Sequence, residues 1–194
     1  MKNILDSLTK EEKGRLKIVH LNKGEILFSE GEVCENVGIV FVGELKIASY
    51  LEDGHEIVYN VIKKGMMFGN NLIFSSEPVY RGDVIANENS YLYILSKNQL
   101  LNLLKTNDDF LIAFLNAQSE FGKGLNLSIK LLTFNNAQER ILYYLQINKD
   151  IVAYKSITEL AKTLYLSREV LSRTLHKMER DQIIRLEDKK IIKI

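Results

Sequence analysis

Glycines divide the first part of the chain at intervals of about ten residues, and this spacing limits the folds open to it. The runs between them are rich in Val, Ile, Tyr and Phe, residues that favour strands. The glycines are Gly24, Gly31, Gly43, Gly54 and Gly65, and the strand-like runs cover residues 25–28, 37–42, 44–50, 55–62, 84–86 and 90–95. Turns at this interval, with no long helical pattern between them, are typical of an antiparallel β-roll or sandwich. The residues before Ser96 are therefore predicted to be β-rich after a short amphipathic start.

The pattern changes at Ser96, where apolar residues begin to recur at helical spacing. Ser96 and Gln99 have the spacing of a capping box, so a helix is predicted over 97–106. A longer helix is predicted over 107–133, because apolar side chains recur there every three or four residues. They include Phe110, Phe114, Ala117, Phe121, Leu125 and Leu132. At 1.5 Å per residue such a helix is about 37 Å long.

A helix of this length in a chain of 194 residues favours pairing with a second copy of itself. The alternative is that the helix packs along the β-rich part of its own chain. Gly122 and Gly124 lie inside it, and each costs about 1 kcal/mol relative to alanine. They indicate a bend, a close approach of another backbone or a loosened segment, and we expect the helix to yield there.

The C-terminal third has the pattern of two short helices followed by a hairpin. The predicted elements are a break at 134–136, a helix at 137–146, a strand at 151–154 and two final strands about 187–189. Between them, Ser156 caps one short helix, and Ser167 caps a second after a tight turn at 165–166. The inward-facing residues are Ile157, Leu160, Ala161 and Leu164 in the first helix, and Leu171, Leu175 and Met178 in the second. Two short helices joined by such a turn form a helix-turn-helix, and the final hairpin would be the wing of a winged helix.

Charge is distributed unevenly along the chain. The formal net charge is +1, but residues 134–194 carry a net charge of +4 and the remainder −3. A basic C-terminal part on an acidic body predicts a polyanionic partner for that part alone.

The second short helix presents a polar face whose residue types suit DNA bases. Its members are Ser167, Arg168, Glu169, Ser172 and Arg173. Arginine can form two hydrogen bonds to guanine, glutamate can accept from cytosine, and serine can do either. The alternative interpretation is an ordinary solvated helix face with a Glu169–Arg173 pair. Because the face follows a capped helix and a tight turn, we predict that it reads DNA in the major groove.

The segment KSITELAKTLYLSREVLSRTLHKMERDQII resembles the helix-turn-helix of the CRP/FNR family of bacterial transcription factors, and the resemblance extends over nearly the whole chain. In that family the positions that match Arg168, Glu169 and Arg173 read bases. The resemblance implies a homodimer that binds an inverted repeat with a TGA-containing half-site, of the TTGA or TGTGA type. It also implies RNA polymerase as a partner.

The N-terminal part is similar to the cyclic-nucleotide-binding fold of the same family, through KGEILFSEGEVCENVGIVFVGELKI. The resemblance places a phosphate-binding cassette in FGNNLIFSSEPVYRGDVIA, where a glycine turn opens a short helix whose N–H groups face an anion. The candidate effector-binding residues are Gly69, Asn70, Asn71, Leu72, Arg81 and Gly82. Two departures matter: Asn70 replaces the acidic residue that holds the ribose, and Arg81-Gly82-Asp83 replaces Arg-Ser/Thr-Ala. A small effector other than cyclic AMP is therefore predicted; a cyclic nucleotide and no ligand remain the alternatives.

Several function classes lack their residues. The single cysteine, Cys34, excludes a disulfide within the chain and a multi-cysteine zinc or iron–sulfur site. Haem ligation would have to use Cys34, His55, Met66 or Met67, at spacings that indicate no such site. A cupin-type enzyme needs several histidines on facing strands, and the β-rich part has only His20 and His55. We therefore predict no catalytic residues, no metal and no cofactor.

The longest apolar run, 110–115, is far shorter than the roughly 20 residues that span a bilayer, and the polar N-terminus is no signal peptide. A cytoplasmic protein without membrane contact is predicted. The fold class is α+β: an effector-sensing antiparallel β-roll of the cyclic-nucleotide-binding jelly-roll type over 1–106, a dimerisation helix over 107–133, and a winged helix-turn-helix over 134–194. The alternative function is a ligand-binding regulatory module that acts on a protein partner.

Overall fold

The computed structural model describes residues 3–194, which form two compact units, one that ends at Phe121 and one over Gly122–Ile194. The first unit is built around antiparallel sheets, and the second is mostly helical. The predicted mixture of a β-roll with several helices is confirmed.

Two four-stranded antiparallel sheets build the first unit. Their strand orders are β1-β8-β3-β6 and β2-β7-β4-β5. The elements are α1 (Lys10–Gly14), β1 (Lys17–Leu21), β2 (Ile26–Phe28), β3 (Asn36–Val42), β4 (Glu44–Tyr50), β5 (Glu56–Lys63), β6 (Met67–Phe68), β7 (Asp83–Ala86), β8 (Ser90–Ser96) and α2 (Lys97–Thr106). Their inner faces form one core, because successive side chains of a strand point to opposite faces. In β8, for example, Ser90, Leu92 and Ile94 are buried, whereas Tyr91 is exposed.

The six strands predicted in this unit are all present, each within one residue of its predicted bounds. Two strands were not predicted. Strand β1 is mostly exposed and carries lysine and histidine, so it lacks the alternation of a half-buried strand. Strand β6 has only two residues, which pair with Gly38 and Ile39 of β3.

Helix α3 (Asp108–Leu132) is an unbroken helix of 25 residues that begins in the first unit and ends in the second. Phe110, Ala113 and Phe114 are buried in the core of the first unit. The apolar stripe predicted as one surface is therefore divided: its first two phenylalanines pack on their own β-roll, as the alternative interpretation held. Large apolar side chains farther along the helix are exposed, namely Phe121, Leu125 and Leu132, together with Ile112, Leu115 and Ile129.

The helix continues through Gly122 and Gly124. A Cβ atom on either glycine would meet no heavy atom within 4 Å in the part of the chain that the structure describes. A close approach of this chain's own backbone therefore does not account for them, and the boundary between the two units falls immediately before Gly122.

The second unit packs four helical segments on a small sheet. Its elements after α3 are α4 (Ala137–Ile147), β9 (Ile151–Ala153), α5 (Ile157–Thr163), α6 (Arg168–Arg180), β10 (Ile184–Glu187) and β11 (Lys190–Lys193). The sheet order is β10-β11-β9. The predicted inner residues Leu160, Ala161, Leu164, Leu171, Leu175 and Met178 are buried, and Ile157 is half-buried. Ser156 and Ser167 cap α5 and α6 as predicted, because each hydroxyl accepts a hydrogen bond from a backbone N–H three residues later.

Gly38 in β3 has no room for a side chain. A Cβ atom there would lie 2.0 Å from Cζ of Phe68, which is only 1% exposed. We expect Gly38→Ala to lower the free energy of unfolding of the first unit by about 1–3 kcal/mol, since the ring must move within a packed core. Urea denaturation followed by circular dichroism measures this. Gly14→Ala, where nothing lies within 4 Å of the added atom, is the control and should change stability by less than about 0.5 kcal/mol; equal effects at both positions would contradict the packing argument.

Cys34 should be inert in the folded protein. Its side chain is 2% exposed, its Sγ lies 3.4 Å from the carbonyl oxygen of Asn36, and burial raises the pKa of the thiol. Because the thiolate is the reactive form, a thiol-specific disulfide reagent at pH 8 should label the native protein at least about tenfold more slowly than the urea-unfolded protein. Immediate labelling of one thiol in the native state would contradict this.

Candidate nucleic-acid interface and ligand site

Helix α6 separates an apolar face from a polar one. Leu171, Leu175 and Met178 are buried in the core of the second unit. The predicted DNA-reading residues Arg168, Glu169 and Arg173 are exposed, Ser172 is half-buried, and Ser167 caps the helix. Positions 169, 172, 173 and 176 follow the i, i+3, i+4, i+7 spacing, so their side chains share one face of the helix. The structure thus brings the predicted residues together at the exposed N-terminal end of α6.

Glu169 is held in its ionised form at this end of the helix. Its own backbone N–H, the Ser167 hydroxyl and the charge of Arg168 lower the pKa of the carboxyl below its usual value. Partial positive charge at a helix N-terminus favours an anion in the same way. The face therefore offers hydrogen-bond acceptors on Glu169 beside guanidinium donors on Arg168 and Arg173.

Exposed lysines lie on the neighbouring elements of the same unit. Lys155 precedes the cap of α5, Lys162 is in its last turn, and Lys189 forms the turn of the β10–β11 hairpin with a φ of +50°. Lys190 follows it. Such side chains add positive charge to the surface, but they do not by themselves select a base.

The turn between α5 and α6 is held by two residues that sequence reasoning missed. Arg140 of α4 donates from Nη1 to the carbonyl oxygens of Leu164 (3.0 Å) and Tyr165 (2.8 Å), and from Nη2 to that of Phe134 (3.2 Å). The Tyr165 hydroxyl donates to Oγ of Ser128 at 2.7 Å. The only sequence signal for the Arg140 contacts was an arginine on the half-buried side of a predicted helix. The sequence carried no signal for the Tyr165–Ser128 contact.

The second candidate site begins at Gly69, which opens a turn after β6. Its φ is +75°, and a Cβ atom there would lie 2.9 Å from the carbonyl oxygen of Asn36, so glycine is required on both counts. The N–H groups of Leu72 and Ile73 both donate to the carbonyl oxygen of Gly69 at 3.0 Å. In place of the short helix expected after Gly69 there are successive hydrogen-bonded turns, since the N–H of Ser75 also donates to the carbonyl oxygen of Leu72 at 2.8 Å.

Asn70 contacts α3. The side chain is buried, its amide donates to Oε1 of Gln118, and the Gln118 amide donates to the Asn70 carbonyl oxygen at 3.4 Å. Gln118 thus accepts from the Asn70 side chain and donates to the Asn70 backbone. Asn71 next to it is exposed and Leu72 is half-buried. Gln118 is a site residue that sequence reasoning missed; its signal was a polar side chain among apolar ones on α3.

Arg81 and Gly82 do not share the contact that Asn70 makes with α3. The Arg81 side chain is 70% exposed and pairs with Glu77 at 3.6 Å, as an ion pair on the surface. Gly82 is buried, and a Cβ atom there would lie 3.0 Å from the carbonyl oxygen of Ala48.

Two carboxylates flank the Arg81-Gly82 segment. Asp83 accepts a hydrogen bond from the backbone N–H of Glu30 at 2.7 Å. The Glu30 carboxylate in turn accepts from the hydroxyl of Ser49, which is buried and lies 3.4 Å from the carbonyl oxygen of Arg81. This arrangement places two carboxylates near the backbone of the Arg81-Gly82 segment.

Within residues 3–194, no three His, Cys, Asp or Glu side chains are grouped so that they could hold a metal ion. No helix in the same residues is long and apolar enough to cross a bilayer.

Known proteins resemble the chain in sequence and in fold. Residues 18–107 match the family model of the cyclic nucleotide-binding domain. A transcriptional regulator from Thermotoga maritima is 31% identical, with a TM-score of 0.59, over 64% of this chain and 96% of that one. The catabolite activator protein of Thermus thermophilus is 20% identical over 100% of this chain and 94% of its own, with a TM-score of 0.58. A mutant of CooA from Carboxydothermus hydrogenoformans is 16% identical over 99% and 91%, with a TM-score of 0.68. Comparison with curated proteins found no match.

The more distant structures establish the shared fold along the whole chain, and the Thermotoga protein adds sequence identity over nearly all of its own length. The matched domain lies where the β-roll is found, and the capped helix pair follows it. From these observations, the chain belongs to the CRP/FNR family of transcriptional regulators.

Proposed function

We propose that the protein is a homodimeric transcriptional regulator whose C-terminal unit is a winged helix-turn-helix that reads an inverted DNA repeat with a TGA-containing half-site. The observation that carries the proposal is the N-terminal end of α6, where Arg168, Glu169 and Arg173 are exposed together after a tight turn. Hydrogen-bond donors and acceptors at this end of a recognition helix reach base edges in the major groove. Lys155, Lys162 and Lys189 are proposed to contact phosphates, which adds affinity without sequence preference.

The proposed dimer forms along α3. Leu115, Gln118, Gly122, Leu125, Ile129 and Leu132 alternate at spacings of three and four residues, the repeat of a two-stranded coiled coil. The leucines and the isoleucine among them are about half exposed or more in the single chain. A second copy would cover them and place two α6 helices about one turn of DNA apart, roughly 34 Å.

The proposed effector is a small molecule other than cyclic AMP. Asn70 is bonded to Gln118, Arg81 pairs with Glu77 on the surface, and the carboxylates of Glu30 and Asp83 lie beside the Arg81-Gly82 segment. These contacts leave little positive charge for a cyclic phosphate. Related structures are described as CO-dependent and as c-di-GMP responsive, so the fold itself is compatible with different effectors.

RNA polymerase is the proposed protein partner, and the bacterial cytoplasm the proposed location. We propose no catalytic role. The alternative function, a ligand-binding module that acts on a protein partner, would use the same C-terminal unit as a protein surface, and it predicts no preference among DNA sequences.

Fluorescence anisotropy tests the proposed function directly. The protein is titrated into a labelled TTGA…TCAA inverted repeat and into a scrambled duplex at one salt concentration, with and without cyclic AMP. We expect tighter binding to the repeat, by about 10³-fold or more when the dimer is in its reading state, and no change on adding cyclic AMP. Selection of a site from random DNA follows if neither duplex is preferred, and no selected sequence would contradict DNA recognition. Preference that requires cyclic AMP would contradict the effector proposal alone.

Arg173→Ala should relax specificity at one base position. Removing a guanidinium that contacts a base is expected to cost about 1–3 kcal/mol for the preferred base and little for the others. Arg180→Ala is the matched control, because Arg180 is exposed on the same helix at its opposite end. Affinities for duplexes substituted at each half-site position measure the effect. Equal weakening on every duplex would identify Arg173 as a phosphate contact instead.

Leu125→Glu should convert the dimer to a monomer. The side chain lies at the centre of the α3 stripe and is 48% exposed in the single chain, so a paired helix would bury a charge there. Sedimentation equilibrium measures the change. Ile18→Glu on β1, at a side chain that is 57% exposed, is the control and should leave the mass unchanged. A wild-type monomer, or a dimeric Leu125→Glu variant, would contradict pairing along α3.

A further inference from the structure

The turn before α6 contains a strained residue. Tyr165 has a φ of +54°, the left-handed region in which a bulky side chain is rare. Glycine or asparagine would adopt this conformation at lower cost. The ring does not explain the choice of residue by burial, because Tyr165 is 47% exposed. Strain that persists at one position indicates that the surrounding contacts fix it.

Those contacts hold the turn from two sides. On one side, Nη1 of Arg140 donates to the carbonyl oxygens of Leu164 and Tyr165. Its Nη2 donates to the carbonyl oxygen of Phe134, just after α3. On the other side, the Tyr165 hydroxyl donates to Ser128 of α3 at 2.7 Å. Because the Ser128 hydroxyl donates its own proton to the carbonyl oxygen of Gly124 at 2.9 Å, its oxygen is oriented to accept from Tyr165.

The C-terminal half of α3 therefore has two different sides. Leu127 and Leu131 pack into the core of the second unit, next to Ser128. Leu125, Ile129 and Leu132 remain exposed on the stripe proposed for pairing. One helical segment thus carries both the dimer stripe and the contact to the turn that leads into α6.

We propose that Tyr165 is a positioning residue: its hydrogen bond to Ser128 fixes the orientation of the DNA-reading helix α6 relative to the helix along which the dimer pairs. This inference rests on the proposed function, since α6 must read DNA for its orientation to matter. Two helices that must fit neighbouring major grooves tolerate little error in angle. If α6 rotates relative to α3, the protein keeps its contacts to phosphates but loses its contacts to bases.

Tyr165→Phe removes the donor hydroxyl of the bond, and Ser128→Ala removes the acceptor hydroxyl. With the variant that carries both changes, they form a double-mutant cycle. We measure the ratio of the affinities for the selected repeat and for a scrambled duplex. Each single variant should lower this ratio by about three- to tenfold, the range expected for one hydrogen bond, with the affinity for scrambled DNA unchanged. The double variant should lose no more than either single variant, because both remove the same bond. Ser128→Thr keeps the hydroxyl and should restore the ratio.

Ser119→Ala is the matched control, since Ser119 lies on α3 and its hydroxyl bonds the carbonyl oxygen four residues earlier, as that of Ser128 does. It should leave the ratio unchanged. Thermal unfolding midpoints should fall by no more than about 5 °C in Tyr165→Phe and Ser128→Ala, since each loses one hydrogen bond, and should not change in Ser119→Ala. A fall in the midpoint with equal weakening on both duplexes would show a purely structural role and overturn the proposal.

Hydrogen exchange without DNA separates the two proposals. Amide exchange by mass spectrometry over residues 163–171 should rise several-fold in Tyr165→Phe and Ser128→Ala but not in Ser119→Ala. If the wild-type protein selects no DNA sequence, the proposed function fails while exchange still shows whether the bond holds the turn. If the wild-type protein does discriminate, unchanged ratios and unchanged exchange in both variants would overturn the role of Tyr165.

Discussion

Helix α3 contributes apolar side chains to three surfaces, and the packing of both units depends on it. The N-terminal part of α3 completes the β-roll core through Phe110, and its C-terminal part completes the helical core through Leu131. The exposed stripe that remains follows a spacing typical of helix pairing. The helix is continuous through Gly122 and Gly124, which lie at the boundary between the two units, and each glycine makes the helix less stable there than alanine would.

The segment predicted as a phosphate-binding cassette combines a sterically fixed backbone turn with side chains that are already paired. Gly69 keeps the positive φ and the close approach to Asn36 that the turn requires. Around this fixed turn, Asn70 bonds to α3 and Arg81 pairs with Glu77 at the surface. Steric limits therefore fix the backbone at Gly69, whereas the chemistry of this segment depends on the partners of Asn70 and Arg81.

Local pattern was sufficient for much of the fold and for the exposed position of the predicted DNA-reading residues on α6. Strands such as β4 and caps such as Ser96 and Ser167 were predictable, because alternation and capping act within a few residues. The exposed face of α6 followed from helical periodicity. Contacts that depend on the folded arrangement were not predictable: the Asn70–Gln118 pair joins residues 48 positions apart. The division of the α3 stripe also depended on the β-roll, which covers Phe110 and leaves Leu125 open.

The Asn70–Gln118 pair also determines how the contact between the turn at Gly69 and α3 depends on pH and ionic strength. Both groups are neutral amides, and neither gains or loses a proton in the physiological range. A carboxylate at either position would make the same bond depend on acidity and on dissolved salt. With two amides, neither hydrogen bond gains or loses a charged partner when the pH or the ionic strength changes.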